Sequence, residues 1–241
     1  MLEFCNIKHG AAAAVALIIM CMTSAAAAQD ASFGVRLAGA YSSLPQPSDP
    51  EGEPTLMSGT AFTGFGYAFG AWAGVTVAEL DQAQVAIDIS GYYGQLRGLG
   101  YEQRGDARRE ASIKTRLVRV PILAVYENSA VGSTARIGAG VEPMIGIWSG
   151  AQVTVENTSE NPEPLYTTPV THLGLTGMVA YDAEVADGVN VPIELRLTYD
   201  PMVGKSTVDR FQNFESTSNP GDYEAAFRWQ LMLATGISFD I

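Results

Sequence analysis

The chain has 241 residues, with 14 Lys and Arg against 26 Asp and Glu, for a formal net charge of −12. So acidic a balance is a poor match for nucleic acid. Two cysteines and two histidines leave little for thiolate or imidazole metal chemistry, and no cofactor or metal site is expected.

Residues 1–28 read as a secretory signal peptide. Lys8 stands beside His9, an apolar run extends from Ala11 to Met22, and small residues end at Ala26-Ala27-Ala28, so cleavage is expected between Ala28 and Gln29. The run is shorter than the roughly 20 residues of a spanning helix. Met20 is large where a lipoprotein signal wants a small residue, which argues against lipidation of Cys21. Both Cys5 and Cys21 fall in the leader, so residues 29–241 hold no thiol. The leader also removes one base (Lys8) and one acid (Glu3), and the balance stays at −12.

Residues 29–241 suffice for one domain, and no later segment is apolar and long enough for a transmembrane helix. Alternation with a period of two dominates instead, in segments rich in Val, Ile, Leu, Tyr and Gly. Eight strands are predicted, at about 31–42, 59–78, 84–97, 112–126, 133–148, 171–182, 190–200 and 224–241. The connections alternate in length: 44–57 long, 78–82 short, 98–111 long, 127–133 short, 151–170 long, 183–189 short and 201–221 long. Short turns at one end and long loops at the other are the pattern of a transmembrane barrel, with the turns on the periplasmic side. The fold class is therefore all-β, an eight-stranded antiparallel up-and-down transmembrane β-barrel.

Side-chain parity gives each strand two faces. A cation facing lipid at the midplane costs roughly 2–4 kcal/mol, so Arg119 in RLVRVPILAVY must point into the bore with Leu117, Pro121 and Leu123. Val118, Val120, Ile122, Ala124 and Tyr126 then face out. The same parity turns Val35, Leu37, Ile87, Ile89, Leu195 and Leu197 outward. It collects Arg36, Asp88, Arg119, Arg136, Glu142, Glu194, Arg196 and Arg228 in the lumen. An eight-stranded barrel is just wide enough for side chains to fill, so these charges must pair or be hydrated. Outward aromatics fall at two heights, Phe33, Tyr126, Tyr181 and Phe239 near the turns and Tyr41, Tyr93, Tyr199 and Trp229 near the loops. Two such bands are expected at the two membrane–water boundaries. Pro121 and Pro143 each remove a ladder donor and point to bulges that would shift the local facing, whereas Pro192 sits near a strand start.

The final segment, WQLMLATGISFDI, alternates apolar and small or polar residues up to Phe239 and Ile241. It resembles the C-terminal assembly signal of bacterial outer-membrane proteins, which usually ends on Phe itself. Residues 29–241 as a whole resemble the small eight-stranded outer-membrane barrels of the OmpA-like and OmpX-like class. The hairpin RLVRVPILAVYE followed by ARIGAGVEPMIGI carries the same likeness. The resemblance implies a Gram-negative outer membrane, folding by the barrel-assembly machinery, and no particular chemistry.

Catalysis finds little footing. The mature chain has one histidine, His172 in THLGL. Some small outer-membrane barrels modify lipid A through a His-x-Ser pair, but here the serine position is Gly174. The loops carry acid instead: Asp49, Glu51 and Glu53 in the first, Glu156, Glu160 and Glu163 in the third, Asp209, Glu215 and Asp222 in the fourth. Lys114 and Arg116, outward at the top of the fourth strand, are candidates for direct contact with lipopolysaccharide phosphates. Arg97, Arg104, Arg108 and Arg109 lie in or beside the second loop. The sequence thus points to a monomeric outer-membrane barrel with a structural or surface-interaction role through its loops. A narrow channel for ions or small solutes is the second reading, and a soluble lipocalin-like periplasmic barrel or a lipid A-modifying enzyme are the remaining ones.

Overall fold

A computed structural model describes residues 31–44, 58–59, 62–81, 83–104, 107–155, 163–165, 167–203, 223–224 and 226–241. The predicted leader 1–28 lies outside these residues, as do the acidic loop positions Asp49, Glu51, Glu53, Glu156, Glu160, Asp209, Glu215 and Asp222. The barrel strands are β1 (Ala31–Leu44), β2 (Phe62–Leu80), β3 (Ala83–Arg104), β4 (Ala107–Arg119), β5 (Ile122–Ala130), β6 (Ser133–Val155), β7 (Thr171–Ala186), β8 (Val189–Tyr199) and β9 (Trp229–Asp240). β4 and β5 run in series as one stave, and each stave pairs antiparallel with the next. The ring closes where β9 pairs with β1, from Ser32 opposite Asp240 to Ser43 opposite Trp229. The result is an all-β, eight-stave, up-and-down antiparallel barrel with no open edge, which is why the last strand alternates as it does.

At one end the staves are joined by very short turns. Ala130 and Ser133 are linked by Val131-Gly132, and Ala186 and Val189 by Asp187-Gly188. Gly132 and Gly188 have φ of 75° and 67°, a left-handed conformation open to glycine at no steric cost. Several strands run further than alternation predicts at the other end. The β3–β4 hairpin stays paired up to Arg104 opposite Ala107, through most of the predicted 98–111 loop, and β6 continues to Val155. Ladder bonds need no apolar face, so polar pairs such as Gln103 opposite Arg108 extend the wall where periodicity has already faded.

The prolines behave differently from expectation. Across Pro121 the register of β3 is continuous, from Ile89 opposite Ile122 to Tyr92 opposite Arg119. Pro143 likewise sits in an unbroken β6–β7 ladder. Both carbonyls still accept, Ser90 N donating to Pro121 O at 3.0 Å and Val120 N to Pro143 O at 2.9 Å. Each proline therefore loses one bond of a pair without inserting a residue, and the facing is not displaced. The irregularity in this wall lies elsewhere, between Arg116 and Leu117, where Arg116 pairs with Trp148 but Leu117 with Gly146. Ile147 is the extra residue.

The polarity of the barrel is inverted relative to a water-soluble one. Outward positions are large and apolar, with Val35 60%, Leu37 63% and Leu233 59% exposed, while Arg119 and Arg196 are each 1% exposed in the bore. Apolar packing inside is confined mainly to the loop end, where Leu96, Ile113, Leu117, Met144 and Met232 meet Val203 and Phe227.

Candidate functional site

The bore is built from successive ionic layers. Nearest the turns, Arg136 on β6 donates to Asp88 on β3, to Glu127 on β5 (Nε to Oε1, 2.7 Å) and, more distantly, to Asp182 on β7 (3.4 Å). Gln84 Nε2 donates to the other oxygen of Glu127 at 2.6 Å. Above this cluster Trp72 stands between two guanidinium groups, Arg136 at 4.7 Å and Arg36 at 4.3 Å from its ring centroid. Arg36 donates to Glu194, whose second oxygen lies 2.6 Å from Arg196 Nη2, and Arg196 in turn lies over the Tyr92 ring. Next, Arg119 donates to Glu142. Thr198 Oγ1 donates to the other oxygen of Glu142 at 2.8 Å and approaches Thr176 Oγ1 at 3.2 Å. Side chains from facing walls thus meet across the axis.

Room for these long side chains comes from glycine on the neighbouring staves. Arg36 lies level with Gly70 on β2 and Gly236 on β9, and Trp72 with Gly34 on β1. A Cβ at Gly236 would stand 1.8 Å from Val35 O, so the strands themselves approach too closely for any side chain. The charge pairs offset the desolvation of their members; a buried ion without its partner would cost several kcal/mol.

Two cavities lie in the bore among the described residues. One at the turn end has a volume of about 290 Å³ and is lined by Thr76, Gln84, Glu127, Arg136, Asp182 and Asn190, among others. The other, at the loop end, is only about 30 Å³ and lies among Leu117, Met144, Phe227 and Gln230. Between them stand the Arg–carboxylate layers. Beside the smaller cavity His172 Nδ1 lies 2.6 Å from Asp200 Oδ2, while Asp200 Oδ1 accepts from Met202 N at 2.9 Å. The histidine thereby ties β7 to the chain leaving β8.

Seven of the eight charges assigned to the lumen by parity, Arg36, Asp88, Arg119, Arg136, Glu142, Glu194 and Arg196, are at most 4% exposed and lie in these layers. Arg228 does not join them. Strand β9 starts only at Trp229, so alternation does not reach residue 228, and Arg228 is half-buried with Nε and Nη2 on the carbonyl of Val203. Sequence reasoning missed Glu127, one residue past the predicted 112–126 strand, and Asp182, the last residue of the predicted 171–182 strand, although parity turns both inward. It also missed Trp72. In FTGFGYAFGAWAG the outward aromatics occupy odd positions, so an even-numbered tryptophan next to alternate glycines was a readable sign. Val203 and Phe227 carried no such signal, because they lie outside the strands.

The aromatics expected at two heights face outward and meet in pairs across strands. Phe33 contacts Phe239 (5.4 Å between centroids), Tyr199 contacts Trp229 (4.6 Å), and Tyr93 and Tyr41 are joined by Phe69 and Phe65. Tyr126 and Tyr181 are about half exposed on the outer wall. Lys114 is exposed and Arg116 partly so, both on the outer face of β4, and Arg97 on β3 lies directly opposite Lys114.

No family model matches the sequence, and no curated protein matches it. Among solved structures the chain is similar to Neisserial surface protein A, at 13% identity over 86% of this chain and 96% of that one, with a TM-score of 0.35. It is also similar to the attachment invasion locus protein Ail of Yersinia pestis (7% identity, 89% and 99% covered, TM-score 0.34). A third similar structure is the outer membrane protein OprG of Pseudomonas aeruginosa (10% identity, 89% and 96% covered, TM-score 0.35). At these identities the likeness is one of fold, and function has to be read from this chain's own residues.

Proposed function

We propose that the chain is an integral outer-membrane β-barrel with a closed bore, a scaffold that presents long acidic loops at the cell surface. The observation that carries this reading is the inverted polarity. Apolar side chains at 40–60% exposure clothe successive staves, while paired arginines and carboxylates fill the interior. In water such a wall would be one contiguous apolar surface, far beyond the few hundred Å² tolerated by a soluble monomer. A lipocalin-like barrel would place its apolar residues inside. Lipid also requires every edge to be paired, and β9 paired to β1 meets that requirement. An N-terminal leader and a final strand shaped for the barrel-assembly machinery fit the same destination.

Of the two remaining roles, scaffold is favoured over channel because paired charges fill the bore, Arg196 and Arg119 reach Tyr92 and Met232 on the facing wall, and Phe227 packs with apolar neighbours at the loop end. Membrane fractionation and heat-modifiable migration on unboiled gels test the barrel itself, with recovery in the soluble periplasmic fraction overturning it. Planar-bilayer recording of the refolded protein tests the closed bore. Silence is expected, and steady single-channel openings would replace the scaffold with the channel.

A further inference from the structure

Among the described residues, the outward apolar runs of two neighbouring staves give way to cations at the same height. On β3 the outward run is Val85, Ile87, Ile89, Gly91 and Tyr93, followed by Gln95 and Arg97, with Leu99 beyond them. On the β4–β5 stave it is Tyr126, Ala124, Ile122, Val120 and Val118, followed by Arg116 and Lys114. Each run covers roughly 26 Å along the strand at about 3.3 Å per residue, or roughly 20 Å across the bilayer at a tilt of about 40°. That nearly exhausts the ~25 Å apolar band of such barrels. The three cations therefore stand immediately above the hydrocarbon, at the loop end, where headgroups lie.

They are also held in place. Arg97 sits opposite Lys114, and Gln95 sits opposite Arg116. With its amide oxygen turned to the guanidinium, Gln95 accepts from Arg97 Nε at 2.8 Å and Nη2 at 3.0 Å. Arg116 lies over the ring of Trp148, 5.0 Å from its centroid. The bulge at Ile147 makes this last contact possible. Even-numbered residues of β6 such as Arg136 and Glu142 point into the bore, and without the extra residue Trp148 would follow them; instead it is 41% exposed on the outer face. Glu110, exposed on the same face of β4, stands two outward positions beyond Lys114. Three neighbouring cations on a chain of net charge −12, beside low-dielectric lipid, repel one another unless anions lie among them.

We infer that Arg97, Lys114, Arg116 and Trp148 form a site for the phosphorylated sugar headgroup of an outer-leaflet glycolipid. The guanidinium groups offer planar forks suited to phosphate oxygens, Lys114 supplies a mobile point charge, and Trp148 anchors the boundary while fixing Arg116. The site rests on the outer-membrane reading, which fixes the loop end as the outer leaflet.

The test compares the wild-type barrel with the triple variant Arg97→Gln, Lys114→Gln, Arg116→Gln. Displacement of a fluorescent bisphosphorylated lipid A from each refolded protein is measured in micelles. Dephosphorylated lipid A and phosphatidylglycerol serve as competitors in parallel arms. Removing three cations should weaken the bisphosphorylated lipid about a hundredfold, a factor of about five for each, and the dephosphorylated lipid should not distinguish the two proteins. The single variant Lys114→Gln, at an exposed position, should lose about fivefold and serves if the triple variant does not refold. Equal binding of lipid A by variant and wild type would overturn the site. So would equal affinity of the wild type for the phosphorylated and dephosphorylated lipids. Phosphatidylglycerol binding as tightly as lipid A would overturn the glycolipid assignment. In each of those cases intact heat-modifiability leaves the barrel reading standing.

Discussion

Glu142 offers the sharpest test of the ionic bore. Its side chain is fully buried, and its two oxygens are taken by Arg119 Nε and Thr198 Oγ1. Among the described residues, Arg119, 1% exposed, keeps Thr198 Oγ1 at 3.1 Å and the Met232 sulfur at 3.9 Å once that carboxylate is gone. Glu142→Ala should therefore leave a buried cation without its counterion, at a loss of about 3–5 kcal/mol. With an m-value of about 2 kcal/mol/M in urea, that moves the unfolding midpoint down by roughly 2 M. The assay is urea titration of the protein in lipid vesicles, the folded fraction read as the fast-migrating band on unboiled gels. Replacing both partners, Arg119→Met with Glu142→Met, removes the cation together with its need. The double variant should return to within about 1–2 kcal/mol of the parent, more stable than Glu142→Ala by about 2–3 kcal/mol. If Glu142→Ala shifts stability by less than about 1 kcal/mol, or the double variant is no better than the single, the pair does not hold the bore and the layered account fails.

Two further substitutions probe the wall. Leu195 lies mid-stave on β8 opposite Val179 and Leu233 and is 42% exposed, so Leu195→Arg should cost about 2–4 kcal/mol in vesicle refolding, against about 0–1 for Tyr199→Arg at the rim. Equal losses at the two heights would contradict the bilayer placement. Gly236→Ala should greatly reduce the folded band, because the new Cβ would stand 1.8 Å from Val35 O; Gly39→Ala, with nothing within 4 Å, should fold as well as the parent or slightly better.

The identity of the walls was legible in the sequence for a simple physical reason. A strand has period two, and lipid outside with ions inside demand opposite chemistry at every step, so one fixed residue such as Arg119 sets the facing of its neighbours. Arg36, Asp88, Glu142 and Arg196 follow from that rule alone. The rule ends where regular alternation ends. Arg228 precedes its strand and bonds to the Val203 carbonyl, and Phe227 packs into the loop-end cluster from a position with no periodic neighbours.

What the sequence determined by itself is thus the closed cylinder, its strand count and which residues share a face, because these depend on nearest neighbours along one chain. Which charges meet inside the bore was decided only by the tertiary structure. Arg136 with Asp88, Glu127 and Asp182, Arg36 with Glu194, and Trp72 between two guanidinium groups join residues from different staves, and their partnership depends on the register and stagger of the whole ring. The same holds for Trp148. A single extra residue at Ile147 reverses its side, and insertion of that kind is a property of two paired strands, invisible in either one read alone.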